Sequence, residues 1–142
     1  MLKQVARVGI PLLVLLVLAT PALAKKRKGP LEYGTWKVRI TPDAEAARHG
    51  EKASEDTLVL LQGVFRSDGW SLYGFAPVGY TLKDNSFTAD VESGKSGHLR
   101  WTGIINGDAI AGRLDWTMKD GTLLTYTYSG SRAESEAAKK KR

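Results

Sequence analysis

The chain is predicted to be all-β: an antiparallel up-and-down β-barrel of about eight strands, with a short helix after strand one and a signal peptide ahead of it. Three observations predict the barrel. From Tyr33 onward apolar and polar residues alternate with period two, the mark of half-buried strands. Turn signals separate these runs roughly every ten residues. The runs also follow one another hairpin after hairpin, without the long return connection that a Greek key needs. So many antiparallel strands hide their edges completely only by closing on themselves. A two-sheet sandwich is the alternative.

Each element has its own signal. Trp36, Val38 and Ile40 share one face of a first strand near 33–41, and Lys37 and Arg39 take the other. Residues 41–50 break the period. A cap candidate, Pro42 in the first turn and Gly50 as a stop read as a short helix. Strands are then expected near 56–62, 64–67, 70–75 and 79–83. The next, near 86–92, sets Phe87, Ala89 and Val91 against Thr88, Asp90 and Glu92. Leu99, Trp101, Gly103 and Ile105 alternate over 98–105, and Ile110, Gly112, Leu114 and Trp116 over 109–118. Leu124, Tyr126 and Tyr128 alternate in a last strand at 122–130. Asn106-Gly107 is the strongest turn signal, expected to form a type I′ hairpin, and Asp120-Gly121 is another. Asp84-Asn85, Ser67-Asp68-Gly69 and Gln62-Gly63 are weaker ones.

The N-terminal end predicts the compartment. Lys3 and Arg7 precede the apolar run Val8–Ala19, and Pro21-Ala22-Leu23-Ala24 offers the small-x-small pattern of a signal-peptidase site. Cleavage is expected near Ala24, giving a secreted or periplasmic protein. The run is about a dozen residues, against about 20 for a spanning helix, and Pro11 interrupts it. Retention as an anchor is the alternative, and Lys25–Lys28 just after the cut oppose export. The organisation is then residues 1–24 as signal peptide, 25–32 as a basic disordered linker, 33–132 as the barrel and 133–142 as a basic tail.

Charge is unevenly placed. The chain of 142 residues carries 21 Lys and Arg against 15 Asp and Glu. Eight of the basic residues lie in two clusters, Lys25–Lys28 and Lys139–Arg142, and two in the signal. Residues 29–138 keep 11 basic and all 15 acidic residues, a net charge of −4. That excludes a basic nucleic-acid footprint on the domain. The clusters read either as solvated tails or as contacts to an anionic envelope surface.

Catalytic chemistry finds no motif, and no catalytic residue, metal ligand or cofactor is expected. The chain has no cysteine, which excludes thiol redox chemistry and thiolate metal sites. Gly94-Lys95-Ser96 resembles the end of a phosphate loop, but Ala89 stands where its first glycine belongs and a strand follows. His49 and His98 lack metal-ligand spacing. Asp90, Glu92, Asp108 and Asp115 point outward by alternation, away from any shared cleft. The aromatics are the remaining candidates. Trp36, Phe87, Trp101, Trp116, Tyr126 and Tyr128 fall on inward faces, where they either line a pocket for a small apolar ligand or plug the interior. Trp70, Tyr73 and Phe75 in the glycine-rich stretch 69–79, with Tyr80 just after it, are candidates for a contact surface at the barrel mouth.

Gly34-Thr35-Trp36, opening strand one, resembles the Gly-x-Trp mark of the calycins, the superfamily of lipocalins, fatty-acid-binding proteins and avidins. The resemblance implies that Gly34 and Trp36 form the barrel floor, that Arg132 after the last strand packs on Trp36, and that the segment Thr41–Asp56 is a lid. The Thr-Asp-Tyr element of lipocalins is absent and no ligand contact carries over. The expected function is a non-enzymatic barrel that binds a small apolar ligand or an envelope component. The alternative is an interaction module with a plugged barrel that contacts envelope polymers or a partner protein.

Overall fold

The computed structural model describes residues 29–133. The expected signal peptide, the cluster Lys25–Lys28 and the tail from residue 134 lie outside the described residues. Nine strands form one antiparallel sheet: β1 (Gly34–Pro42), β2 (Ser54–Leu61), β3 (Val64–Ser67), β4 (Val78–Gly79), β5 (Thr81–Lys83), β6 (Ser86–Ser93), β7 (Gly97–Asn106), β8 (Ala109–Thr117) and β9 (Leu123–Arg132). Two short helices, α1 (Ala44–Arg48) and α2 (Asp68–Ser71), lie between strands.

The sheet runs β4-β3-β2-β1-β9-β8-β7-β6-β5. Its two edge strands, β4 and β5, are neighbours in the chain, separated only by Tyr80. The two ends of the sheet are thus tied by one peptide stretch, and the sheet curls into a nearly closed barrel. Parity supports counting β4 and β5 as one kinked strand. β1 pairs with β9 antiparallel, and an up-and-down barrel closes that way only with an even number of strands, here eight.

Strand polarity gives the barrel two ends. The floor holds the start of β1, the end of β9 and the turns β2–β3, β5–β6 and β7–β8. The mouth holds α1, α2 and the connections β6–β7 and β8–β9. Inward positions alternate as the period-two pattern predicts, and Trp36, Leu58, Leu60, Trp101 and Leu114 are fully buried. Each such side chain contributes about 1.5–3 kcal/mol through burial.

Gly103 and Gly112 face each other across β7 and β8. A Cβ on Gly103 would lie 2.3 Å from the Tyr128 hydroxyl and 2.5 Å from Phe87. The missing side chains let Tyr128 lie across the pair and donate to the Thr102 carbonyl at 2.8 Å.

Three local expectations are corrected. Residues 70–75 are not a strand. Ser67 Oγ caps α2 by accepting from Trp70 N–H at 3.1 Å, and the Asp56 carboxylate accepts from Gly69 N–H at 2.8 Å. Capping by side chains overrides weak strand propensity there. Asn106-Gly107 is not a type I′ turn: Asn106 pairs with Ala109, so Gly107 and Asp108 are the central residues. Only Gly107 has positive φ, +64°, as in type II′. The hairpin with two positive φ values is instead Gln62 (+53°) and Gly63 (+79°). In the predicted helix, Pro42 ends β1 and the cap is Asp43, whose carboxylate accepts from Ala46 N–H at 2.9 Å.

Candidate functional site

The six inward aromatics separate along the barrel axis. At the floor, Trp36 is fully buried and its indole donates to the Glu32 carbonyl at 3.2 Å. The Arg132 guanidinium carbon lies 4.2 Å from the Trp36 ring centroid, a geometry worth about 0.5–2 kcal/mol. The same guanidinium donates to the carbonyls of Leu31 (2.7 Å) and Tyr33, while Nε donates to Asp108 at 2.9 Å. It approaches Gly34 so closely that a Cβ there would lie 2.7 Å from Nη1. Gly34, Trp36 and Arg132 therefore meet at one place and seal it.

Across the middle, Phe65 packs on Trp101 and Phe87 with ring centroids 5.2 and 5.7 Å apart, and Tyr128 packs edge-on to Trp101 at 5.4 Å. Alternation identified Phe87, Trp101 and Tyr128 as inward but did not single out Phe65, and the four rings meet one another. The space bounded by Phe65, Phe75, Leu99 and Trp101 holds ≈ 0 Å³ for a water-sized sphere. An eight-stranded barrel is just wide enough for its own side chains to fill. Trp101 Nε1 is buried without a hydrogen-bond partner, a penalty of about 1–3 kcal/mol.

At the mouth the aromatics regroup around Trp70. Its ring lies 5.1 Å from Trp116, 5.7 Å from Tyr73, 5.8 Å from Tyr126 and 6.1 Å from Phe75. The rest of the expected mouth group is split. Phe75 is buried in the core, and Tyr80 lies toward the floor, donating to Glu32 Oε2 at 2.9 Å. Burial and that carboxylate push the Tyr80 phenol well above its ordinary pKa. Tyr73 stays exposed, its carbonyl accepting from the hydroxyls of Ser93 (3.0 Å) and Ser96 (2.8 Å). Trp116 is only half-buried and donates to the Ser96 carbonyl at 2.7 Å.

Beside this cluster opens a cleft of ≈ 310 Å³, walled by Ile40, Trp70, Tyr73 and Tyr126 and rimmed by Glu51, Lys52, Glu55 and Asp56. The segment after β1 and the start of β2 supply the rim, and α2 with Tyr73 just after it supplies the opposite wall. Tyr126 Oη donates to Glu51 Oε1 at 2.7 Å. Burial, then the Glu51 hydrogen bond, raises the phenol far above its usual range, so it remains a donor. Asp56 is nearly buried and already accepts from Ser67 Oγ (2.5 Å), Thr57 N–H (2.6 Å) and Gly69 N–H (2.8 Å). Its work is to hold α2 against β2. Glu55 is exposed and pairs with Arg39 at 2.9 Å. Sequence reasoning missed Glu51, Asp56 and the central place of Trp70. The Ser67-Asp68-Gly69 turn signal beside an acidic residue was the available hint.

The outer wall carries a polar cluster around His98. His98 Nδ1 lies 2.5 Å from Glu92 Oε1 and Nε2 lies 3.0 Å from Asp90 Oδ1, while Arg100 bonds Asp90 at 3.2 Å. Desolvation lowers the imidazole pKa, but the hydrogen bonds to Glu92 and Asp90 outweigh it and raise the pKa. Both ring nitrogens are engaged by acceptors, which suits an imidazolium and leaves no free base. Among the described residues no group of three or more His, Cys, Asp and Glu is arranged to hold a metal ion. No protein-family model, no curated protein and no solved structure matches the chain.

Proposed function

We propose that the chain is an exported, non-enzymatic, calycin-like barrel whose small ligand sits in the mouth cleft rather than inside the barrel. The observation that carries this reading is the contrast in free space. The interior is filled, whereas the mouth offers ≈ 310 Å³ between aromatic walls and a carboxylate rim, at the lower end of the range for small-molecule sites. The Gly34–Trp36–Arg132 floor supports the calycin-like reading, and the leader-like residues 1–24 support export.

The ligand class follows from the lining. Trp70, Tyr73 and Tyr126 offer rings that attract a cation as well as an apolar body. Glu51, Glu55 and Asp56 outnumber Lys52 at the rim, even with Arg39 paired to Glu55. An amphipathic molecule with a cationic head fits this lining better than the uncharged apolar ligand expected from the inward aromatics. A short-chain alkyl quaternary ammonium is the direct probe, titrated against Trp fluorescence beside its carboxylate analogue. Saturable quenching by the cation, weakened by Glu51→Gln, is the expected result. Equal binding of both probes, or of neither, overturns the site. The second reading, an interaction module with a plugged barrel, is favoured by the tightly packed Phe65–Trp101–Tyr128 interior and takes over if neither probe binds.

A further inference from the structure

We propose that the floor end of the barrel is a docking face for a bilayer containing anionic lipid. The inference is independent of the mouth ligand. It starts from topology. β1 begins and β9 ends at the floor, with Trp36 opposite Arg132 in the ladder and Ala133 N–H donating to the Thr35 carbonyl at 2.8 Å. The chain therefore enters and leaves the barrel side by side. Lys25–Lys28 directly precede residue 29, and Lys139–Arg142 begin six positions after Ala133, a reach of at most about 20 Å. The sequence thus attaches four cations directly to the floor end and four more a few residues beyond it, after Glu134 and Glu136, to a domain whose remaining residues are net acidic.

The surface at that end adds an apolar component. Leu31 and Leu82, 38% and 42% exposed, rim a cleft of ≈ 230 Å³. Leu61 and Val64, 49% and 45% exposed, are cross-strand partners beside the Gln62-Gly63 turn. Of the described acidic residues nearby, Asp108 is paired with Arg132, Glu32 is nearly buried and Asp84 stands next to Lys83. A soluble polyanion would satisfy the cations but offers nothing to four exposed branched side chains. A bilayer satisfies both, with headgroup phosphates for the clusters and the acyl boundary for the leucines.

The absence of cysteine makes the test direct. Single-cysteine variants of the exported chain without the apolar residues 1–24, L61C and L82C at the floor and L72C at the mouth, are labelled with an environment-sensitive dye and mixed with phosphatidylglycerol–phosphatidylcholine vesicles. The floor labels should shift to the blue and become quenchable by lipid-borne quenchers, while the label at 72 stays in water. The response should vanish on pure phosphatidylcholine and fade with added salt. In a second measurement, K139Q/K140Q/K141Q/R142Q, which leaves the barrel untouched, should weaken vesicle binding by about fivefold for each charge removed. Four outcomes overturn the proposal: a responsive label at 72, silent labels at 61 and 82, an equal response on uncharged vesicles, or unchanged affinity of the charge-neutralised chain. Equal affinity for a soluble polyanion with all three labels still in water would replace the bilayer by an anionic polymer.

Discussion

The two ends of this barrel are closed by different physics. At the floor one guanidinium does most of the work: Arg132 lies over Trp36, bonds the carbonyls of Leu31 and Tyr33, and pairs with Asp108 in the neighbouring turn. The partners are the first and last strands, locked in register. At the mouth no single residue dominates. Trp70 meets four other rings, Asp56 anchors α2, and Ser93 and Ser96 hold the Tyr73 carbonyl. The floor is over-determined by these bonds, while the mouth is assembled from loops and keeps the larger of the two end clefts. A barrel can therefore hold its shape from one end and leave the other free for recognition.

The largest test of that contrast compares the two tryptophans. Trp36→Ala should cost about 3–5 kcal/mol, the usual penalty for deleting a fully buried large aromatic. Trp70→Ala, at a half-buried ring held by edge-on contacts, should cost roughly 1–2 kcal/mol. Urea unfolding of both variants measures the difference. Equal losses would mean that the mouth cluster is as integral to the core as the floor. A smaller effect is expected at Asp56. Asp56→Ala leaves Ser67 Oγ and the Gly69 and Thr57 amides without their acceptor, a loss of about 1–3 kcal/mol. Hydrogen exchange should show α2 and β3 opening first, with the amides of β1 and β9 still protected. Uniform loss of protection would instead make the molecule one cooperative unit without a softer end.

The same contrast explains what the sequence could reveal. The wall was legible because alternation is a local signal: Phe87, Ala89 and Val91, or Leu99, Trp101 and Ile105, declare their face within a few residues. The helix after β1 was legible through its break in the period and its glycine stop, although Pro42 belongs to β1 and Asp43 supplies the cap. The mouth was not, because its structure is set by partners far apart in the chain. Residues 70–75 alternate well enough to pass for a strand, and only the contacts of Asp56 with Ser67 and Gly69 convert them into a capped turn. Tyr126 and Glu51 meet across 75 positions, which no local pattern encodes. The filled interior was equally out of reach. Inward aromatics are the same letters whether they line a pocket or plug it, and the choice rests on how Phe65, Trp101 and Tyr128 interlock.

The smallest expected effect sharpens the comparison through pH. Both described histidines lie toward the mouth, His49 just after α1 and His98 near the start of β7, and the floor holds none. His98 bridges Glu92 and Asp90, faces Thr117 across β8, and has Arg100 sharing Asp90. Its pKa in the folded protein is raised above the ordinary 6.5. The folded state therefore holds that proton more tightly than the unfolded chain does. The stabilisation is fully present below pH 6.5 and is lost as pH rises through the raised folded value. The side chain is 34% exposed, so solvent screening keeps the effect under about 1 kcal/mol. His98→Gln should remove the dependence: wild type gains over the variant below pH 6.5 and converges with it at higher pH. Because β7 spans both ends, exchange rates along it locate the effect. Protection that weakens with pH near His98 but not near Ile105 would confirm a pH-sensitive mouth on an insensitive floor. A uniform change along the strand would show that the two ends unfold together and that the contrast is one of geometry alone.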